Sequence, residues 1–195
     1  RIKEIFRERD VIDDAAQYRN AVALTNMSDM PMTRFNRADL LIDGRETFES
    51  IFNGIDSARD YILIQFFIVH DDALGKKLKQ RLIRQARAGV RVYFLFDEIG
   101  CHKLSNAYLD EMRKAGIEAL PFGTTRGRTN KFQLNFRNHR KIVVVDGRSA
   151  WVGGHNVGDE YLGQSPRFGP WRDTHVKVTG PAVQGAQYSF LEDWY

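Results

Sequence analysis

Short apolar segments alternate with amphipathic ones from residue 39 onward, and this alternation limits the fold more than any other feature of the sequence. Residues 61–69 form an apolar run rich in Ile and Phe, typical of a strand that is buried on both faces. The next apolar residues recur at every fourth position, as on one face of a helix: Leu74, Leu78, Leu82 and Ala86. Residues 90–96 predict a further strand. The alternation predicts an α/β fold, a mixed β-sheet flanked by helices on both faces.

The first 38 residues do not share this pattern. Their apolar positions are scattered and Pro31 interrupts them, which predicts a helical arm or linker over residues 1–38. Residues 39–195 are predicted to form a single domain. The chain starts at Arg1 rather than Met, and it ends in an aromatic-rich segment over residues 190–195 that has no helix cap. We therefore interpret both ends as cut, and the domain as truncated at its C-terminal end.

Hydropathy, cysteine content and charge exclude several classes of protein. The longest mostly apolar run is residues 61–69, which contain Gln65, whereas a membrane span needs roughly 20 apolar residues. The chain itself is therefore expected to be soluble. Cys101 is the sole cysteine, which excludes an internal disulfide and a cysteine-based metal cage. The net charge of +4 and the pI of about 9.2 favour an anionic partner.

The second half of the chain contains residues suited to chemistry on phosphorus. Asn138-His139-Arg140-Lys141 leads into a predicted strand over residues 140–145, whose alternation would place His139 and Lys141 on one face. The turn at Asp146-Gly147 and a returning apolar segment then end in Gly153-Gly154-His155-Asn156. Such a hairpin would bring Asn156 back to His139 and Lys141, and its two glycines would let the backbone approach a ligand closely. An imidazole nucleophile, an ammonium and an amide donor at one point suit attack on a phosphoryl group.

Each of these residues also has a purely structural interpretation. A lone histidine before a strand is usually a hydrogen-bonded structural residue, and a lone lysine is usually a solvated charge. Asp146-Gly147 is most simply a hairpin turn. The functional interpretation depends on their joint spacing: His-x-Lys, four residues, Asp, six residues, Gly-Gly-x-Asn. So many fixed positions rarely occur together by chance in a chain of this length.

The spaced residues His139, Lys141, Asp146, Gly153, Gly154 and Asn156 resemble the HKD motif of the phospholipase D superfamily. Three longer stretches are more specific, namely residues 138–141, 153–156 and 171–181. They are similar to the first of the two catalytic halves of bacterial cardiolipin synthases. The resemblance covers residues 39–195, and the α/β alternation of the first half agrees with the fold of that superfamily.

The resemblance implies a mechanism in which two HKD motifs face each other across one active site. One histidine attacks phosphorus to give a phosphohistidine, and the other protonates the leaving alcohol. By this similarity His139 is the nucleophile, while Lys141, Asn156 and the backbone at Gly154 hold the phosphoryl oxygens. Asp146 belongs to the catalytic motif and is expected to organise the turn rather than to touch substrate. No metal and no other cofactor is implied.

The histidine of such a site needs a partner that orients its second ring nitrogen. Asp173 is the candidate, because the superfamily places an acidic residue downstream of the motif, and Glu160 is the second candidate. An ion pair between Asp173 and a nearby arginine is the structural alternative. His155 and His175 are interpreted as residues of the site wall or as structural residues, and Cys101 as a buried or incidental thiol.

The chain contains one HKD motif where the cardiolipin synthases have two. A second HKD half or a homodimer partner is therefore expected, and the isolated chain is expected to be incomplete. The leading hypothesis is phosphatidyl transfer between phosphatidylglycerol molecules, giving cardiolipin and glycerol. A homodimeric phosphodiesterase acting on nucleic acid and a non-catalytic lipid-binding half are the alternatives. We expect an anionic phospholipid and a membrane surface as partners rather than nucleic acid, with the parent protein at the bacterial cell membrane.

Overall fold

The computed structural model describes residues 19–28, 30–122 and 138–195. Its elements, in chain order, are α1 (Arg19–Ser28), β1 (Arg37–Ile42), α2 (Asp43–Asp56), β2 (Tyr61–Phe66), α3 (Ala73–Arg87), β3 (Arg91–Asp97), α4 (Asn106–Lys114), β4 (Glu118–Phe122), β5 (Ile142–Val145), β6 (Ser149–Gly153), a 3₁₀ helix (Asp159–Leu162), β7 (Thr174–Thr179) and α5 (Val183–Trp194). Helix α1 lies within the predicted N-terminal arm, whose first 18 residues are outside the described part of the chain. No helix in the described ranges is long and apolar enough to span a bilayer.

The seven strands form one mixed sheet in the order β1-β7-β6-β5-β2-β3-β4. Strands β2, β3 and β4 are parallel, and every other neighbouring pair is antiparallel. Apolar side chains fill both faces because the central strands are buried on both sides. Helices α2, α3 and α4 pack on one face through residues such as Ile51, Leu78 and Met112. Helix α5 packs on the other through Val183 and Phe190, which confirms the predicted fold class.

The strand register brings several chain ends to one edge of the sheet, which we call the site edge. Phe66 at the end of β2 pairs with Phe96 near the end of β3. Ile142 at the start of β5 lies opposite Gln65 and Val152, and Gly153 lies opposite His175. The segments that precede β5 and β7 therefore meet those that follow β2, β3 and β6. The opposite edge, which carries the turn between β5 and β6, is called the turn edge.

Two predicted strands are shorter than the sequence pattern indicated, and both stop at the site edge. The run over residues 61–69 leaves the sheet after Phe66, so that residues 67–69 form part of a loop. The predicted strand over residues 140–145 starts at Ile142, because Asn138 Oδ1 accepts a hydrogen bond from Arg140 N (3.0 Å) in a local turn. His139 and Lys141 are thus loop residues, and strand alternation does not orient them.

Candidate active site

His139 lies at the surface of the site edge. Its imidazole stacks on the ring of Phe67, with the centroids 4.0 Å apart and the planes inclined by 25°. Phe67 is the first residue after β2, so the loop that shortens this strand also supplies the platform for the histidine. Phe67 falls within the predicted strand over residues 61–69, so the sequence pattern does not indicate this contact. The stacking restricts the ring while leaving its nitrogens open to a ligand.

Lys141 is buried beneath this pair, with 9% of its surface exposed. Its Nζ donates to the carbonyl oxygen of His139 (2.6 Å) and lies 5.6 Å from the centre of the Phe67 ring. Burial lowers the pKa of Lys141, and the nearby Asp173 carboxylate offsets part of that shift. An ammonium has three N–H donors, so one bond to a carbonyl leaves two for phosphoryl oxygens. The hydrogen bond to His139 O therefore holds the Lys141 ammonium next to His139, where its other N–H groups could bind an anion.

Asn156 is oriented by two contacts after β6. Its Oδ1 accepts from Ile68 N (3.0 Å), and its Nδ2 lies 3.3 Å from the hydroxyl of Tyr161. Burial raises the pKa of Tyr161 to about 12, so the hydroxyl stays neutral at physiological pH. These contacts fix which end of the amide is the donor, and Nδ2 retains a second N–H for a ligand. Tyr161 is a positioning residue that the sequence analysis missed.

The two glycines before Asn156 accommodate side chains of the protein itself. A Cβ at Gly154 would lie 2.0 Å from Asp173 Oδ1, and one at Gly153 would lie 2.5 Å from the ring of His175. The amide of Gly154 already donates to Thr174 O (3.0 Å). The glycines therefore allow β7 to approach closely, and the structure gives the Gly154 amide a partner other than the predicted phosphate.

Asp173 lies against Gly154 at the start of β7. Its Oδ1 accepts from Thr174 N (2.7 Å), and its charge acts on Lys141, His155 and His175. Within the described ranges it forms neither a hydrogen bond to the His139 imidazole nor an ion pair with an arginine. The role of Asp173 in orienting His139 stays a prediction. Glu160, the second candidate, lies 3.6 Å from His70 Nε2 instead.

Known proteins are similar in sequence to most of this chain. A family model described as "Cardiolipin synthase, PLD-like domain" matches residues 51–166, more than half of the chain. The chain belongs to this PLD-like family. It is 50% identical over 182 residues to cardiolipin synthase A of Pseudomonas putida KT2440, and 52% identical over 178 residues to that of Pseudomonas aeruginosa LESB58. These matches cover 93% and 91% of the chain but only 38% and 36% of the relatives, so the chain spans little more than a third of their length.

Solved structures show the same fold at much lower identity. NucT from Helicobacter pylori superposes with a TM-score of 0.62 at 14% identity, over 82% of this PLD-like chain and 96% of NucT. Nuc from Salmonella typhimurium, described as a phospholipase D family member, gives 0.55 at 16% identity over 82% and 94% of the two chains. Phosphatidylserine synthase from Haemophilus influenzae gives 0.61 at 17% identity, over 80% of this chain and 36% of that one. These likenesses support the fold alone.

A histidine pair lies behind the site of this PLD-like domain. His155 and His175 are almost fully buried, and their Nδ1 atoms are 3.1 Å apart, so one nitrogen donates to the other. Burial lowers the pKa of both imidazoles, that of His175 to about 4 with a further contribution from His155. Both rings are therefore neutral at pH 7. They fill the space beside Gly153, as expected for residues of the site wall.

Two carboxylates hold the segment around His139, Asp97 through the main chain and Asp193 through side chains. Asp97 Oδ2 accepts from Asn138 N (3.2 Å), and its other oxygen accepts from Ile99 N and Gly100 N. Asp193 on α5 accepts from three side chains: Asn138 Nδ2 at 2.6 Å, Gln65 Nε2 at 2.8 Å and Arg140 Nη1 at 2.5 Å. Asp193 lies 54 positions after His139, and no local pattern in the sequence relates the two residues.

Cys101 links the loop after β3 to the loop after β2 at the site edge. Its Sγ accepts from Val69 N (3.1 Å) and lies 3.5 Å from Phe67 O. Burial raises the pKa of the thiol to about 12, opposed in part by the hydrogen bond from Val69. The thiol is a structural group, and in the described ranges no group of His, Cys, Asp and Glu residues could hold a metal ion.

Asp146 lies at the turn edge, at the far end of β5 from His139. Its carboxylate accepts from the backbone N–H groups of Arg59, Asp60 and Tyr61 at 2.8–2.9 Å. Its own backbone has a φ of 53°, a left-handed conformation that Asp and Asn tolerate better than most residues. The structure thus places this residue of the motif in the turn and ties it to the start of β2, away from the site edge.

Proposed function

We propose that this chain is one catalytic half of an enzyme that transfers a phosphatidyl group between phosphatidylglycerol molecules, giving cardiolipin and glycerol. One observation carries the proposal. His139, Lys141 and Asn156 all lie at the site edge of a chain that is 50% identical to cardiolipin synthase A over 182 residues. The whole enzyme acts on lipids of the bacterial membrane, so its active site must reach a lipid surface.

The first chemical step is attack by an imidazole nitrogen of His139 on the phosphorus of the donor lipid. A P–N bond forms, the P–O bond to the headgroup glycerol breaks, and the phosphatidyl group remains on His139 as a phosphohistidine. Negative charge grows on the phosphoryl oxygens in the transition state, where Lys141 Nζ and Asn156 Nδ2 stabilise it. Since Lys141 also binds the carbonyl of His139, nucleophile and charge stabiliser are held by one short loop.

The second step returns the histidine to its free form. A hydroxyl of the acceptor phosphatidylglycerol attacks the phosphohistidine, and the P–N bond breaks as the new P–O bond forms. The departing glycerol alkoxide takes up a proton in the first step, and the acceptor hydroxyl loses one in the second. A second histidine would serve as acid and then as base. This chain has one full HKD motif, because His175-Val176-Lys177 lacks the Asp at the motif spacing, so a second HKD half or another copy of the chain supplies that group.

Asp173 is proposed to orient His139 once substrate is bound. Its carboxylate lies beside the same loop, and its charge already acts on Lys141. Hydrogen bonds of this type often tighten only in the substrate complex. Phe67 then acts as the resting platform of the nucleophile.

A homodimeric phosphodiesterase of the same superfamily is the second candidate. It is supported by the superposition on NucT, which covers 96% of that chain. The NucT chain therefore consists of a single domain of this fold. The lipid reaction is favoured because identity to cardiolipin synthase A is 50%, against 14% to NucT.

A trapping experiment tests the lipid reaction directly. The chain is mixed with a separately expressed second half and incubated with phosphatidylglycerol vesicles, quenched in alkali because phosphohistidine survives there, and digested for mass spectrometry. We expect cardiolipin and a phosphatidyl adduct on the peptide that contains His139. His102 is an exposed histidine elsewhere at the site edge and serves as the internal control, expected to stay unmodified. Cardiolipin formed without any adduct at His139, or an adduct at His102, would contradict the assignment.

A further inference from the structure

A groove between α2 and α3 takes no part in the chemistry described above. It encloses about 410 Å³. Its floor is apolar and consists of Phe48, Phe52, Leu74 and Leu162. Phe48, Phe52 and Leu74 are each at most 9% exposed, because most of each side chain belongs to the core. The floor is therefore preformed, as is common in sites that bind apolar parts of a ligand.

Positive charge surrounds the mouth of this groove. Arg45, Lys77 and Arg81 line it, against a single carboxylate from Glu49. The guanidinium of Arg81 lies 4.4 Å from the centre of the Phe52 ring, and its Nε is 3.4 Å from Asp56, so its charge is shared. Arg45 and Lys77 are exposed, and across the described ranges neither forms an ion pair. Two cations without partners at the mouth of an apolar groove match a ligand with an anionic head and a hydrocarbon tail.

Helix α3 extends the positive field beyond the groove. Between Ala73 and Arg87 it carries six basic residues and no acidic one, although Lys79 is paired with Glu111, and Arg81 and Arg84 with Asp56, which leaves Lys76, Lys77 and Arg87 as its unpaired charges within the described ranges. Each basic side chain near an anionic membrane surface strengthens the attraction, and apolar contact adds to it. The groove therefore lies on the surface of this chain that an anionic bilayer would attract.

The groove opens next to the site edge. Asp43, the first residue of α2, donates its N–H to Asp173 O (3.1 Å). Leu74, in the first turn of α3, donates to Asp159 Oδ1 (2.8 Å) at the start of the 3₁₀ helix. That helix contributes Leu162 to the groove and Tyr161 to Asn156. One short helix thus borders both the groove and the site.

We propose that this groove binds one molecule of anionic phospholipid, with an acyl chain on the apolar floor and the phosphate at Arg45 and Lys77. The choice of a phospholipid rests on the proposed function, in which the substrate is phosphatidylglycerol. The groove shares no residue with His139, Lys141 or Asn156, so this lipid is not the one that reacts. A lipid held here keeps the site edge at the membrane surface.

The test is a methyl NMR titration that reports on the groove itself. Dihexanoyl phosphatidylglycerol, below the concentration at which it forms micelles, is added to the chain while the Leu74 and Leu162 methyl signals are followed. We expect saturable shifts. The variant Arg45→Glu/Lys77→Glu should bind at least about tenfold more weakly, because two attractive charges become repulsive. Lys76→Glu/Arg87→Glu has the same change in net charge outside the groove and should change the affinity by less than about twofold.

Three outcomes would overturn the proposal. Equal weakening in both variants would mean a general electrostatic effect. Equal affinity for dihexanoyl phosphatidylcholine would mean that the anionic charge is not recognised, and equal shifts with glycerol 3-phosphate would mean that the acyl chain is not. If charge reversal disturbs folding, Arg45→Gln/Lys77→Gln provides the same comparison. The titration measures no turnover, so a loss of binding here would not count against the proposed transfer reaction. Likewise, a missing His139 adduct would not count against the proposed lipid site in the groove.

Discussion

The hairpin of β5 and β6 has residues of the same motif at the turn edge and at the site edge, and the contacts of these residues differ. At the turn edge, Asp146 accepts three backbone hydrogen bonds and joins the hairpin to the start of β2. At the site edge, the His139 ring is exposed and rests on Phe67. Sequence spacing alone does not distinguish a residue that stabilises the fold from a residue that is available to a ligand. Their hydrogen-bond partners do.

The largest effect on activity should follow from His139→Gln. The amide cannot serve as nucleophile, so phosphatidyl transfer by the assembled enzyme should fall by at least about 10⁴-fold. The ring is exposed and its contact is a single stack, so the free energy of unfolding should change by less than about 0.5 kcal/mol. Vesicle turnover and urea denaturation measure the two quantities. A large loss of stability would remove the contrast between the two edges.

The largest effect on stability should follow from Asp146→Ala. It leaves three backbone N–H groups without their acceptor and puts alanine into a left-handed conformation, so about 2–4 kcal/mol of stability should be lost. Asp146→Asn is the matched control, because an amide oxygen can still accept and asparagine tolerates this conformation, and it should lose less than half as much. Equal large losses in urea denaturation would mean that an amide oxygen cannot replace the carboxylate as acceptor, and no loss in either variant would mean that these hydrogen bonds do not stabilise the fold.

The same carboxylate gives the turn edge a pH dependence of known sign. Burial raises the pKa of Asp146, but the hydrogen bonds from Tyr61, Asp60 and Arg59 and the charge of Arg148 together outweigh burial and place the pKa below its ordinary value. The stabilisation is therefore complete above the unfolded-state pKa of about 4 and is lost as pH falls through the lower folded value. The stability gap between the wild type and Asp146→Asn should narrow below about pH 4.

The smallest of these effects should follow from Asp193→Ala. It removes the acceptor of Gln65, Asn138 and Arg140, so the loop before β5 loses its tie to α5, and turnover should fall roughly tenfold through kcat. Glu192→Ala, the exposed neighbour on the same helix, is the control and should leave turnover unchanged. A rise in KM alone, with kcat unchanged, would show that Asp193 does not position the nucleophile.

Periodicity predicted the sheet and its helices because most of this chain buries its apolar residues in regular strands and helices. It failed where strands end. Residues 67–69 are as apolar as the strand before them, yet they form the loop that contacts His139 and Asn156. The spacing of the motif predicted that His139, Lys141 and Asn156 lie together, and in the structure all three lie at the site edge. It could not indicate Phe67 or Asp193, whose contacts depend on how distant elements pack, nor Tyr161, whose contact with Asn156 depends on the loop between β6 and the 3₁₀ helix.

The glycine pair shows the same limit. The sequence suggested that Gly153 and Gly154 make room for a ligand, whereas the structure fills that space with His175 and Asp173. A glycine indicates that another group approaches the backbone closely, but it does not show which group this is. The two residues that fill the space lie just before β7 and within it, about 20 positions away. Only the sheet register relates that segment to the glycines.

The buried thiol of Cys101 gives this protein a reporter of its own movements. The sulfur joins the loops after β2 and β3, and its pKa of about 12 leaves almost no thiolate at neutral pH, so an alkylating reagent should react with it only while those loops are apart. As the sole cysteine, it yields a signal from one place. The rate of its alkylation would measure how often the loops after β2 and β3 separate, with no label attached to the chain.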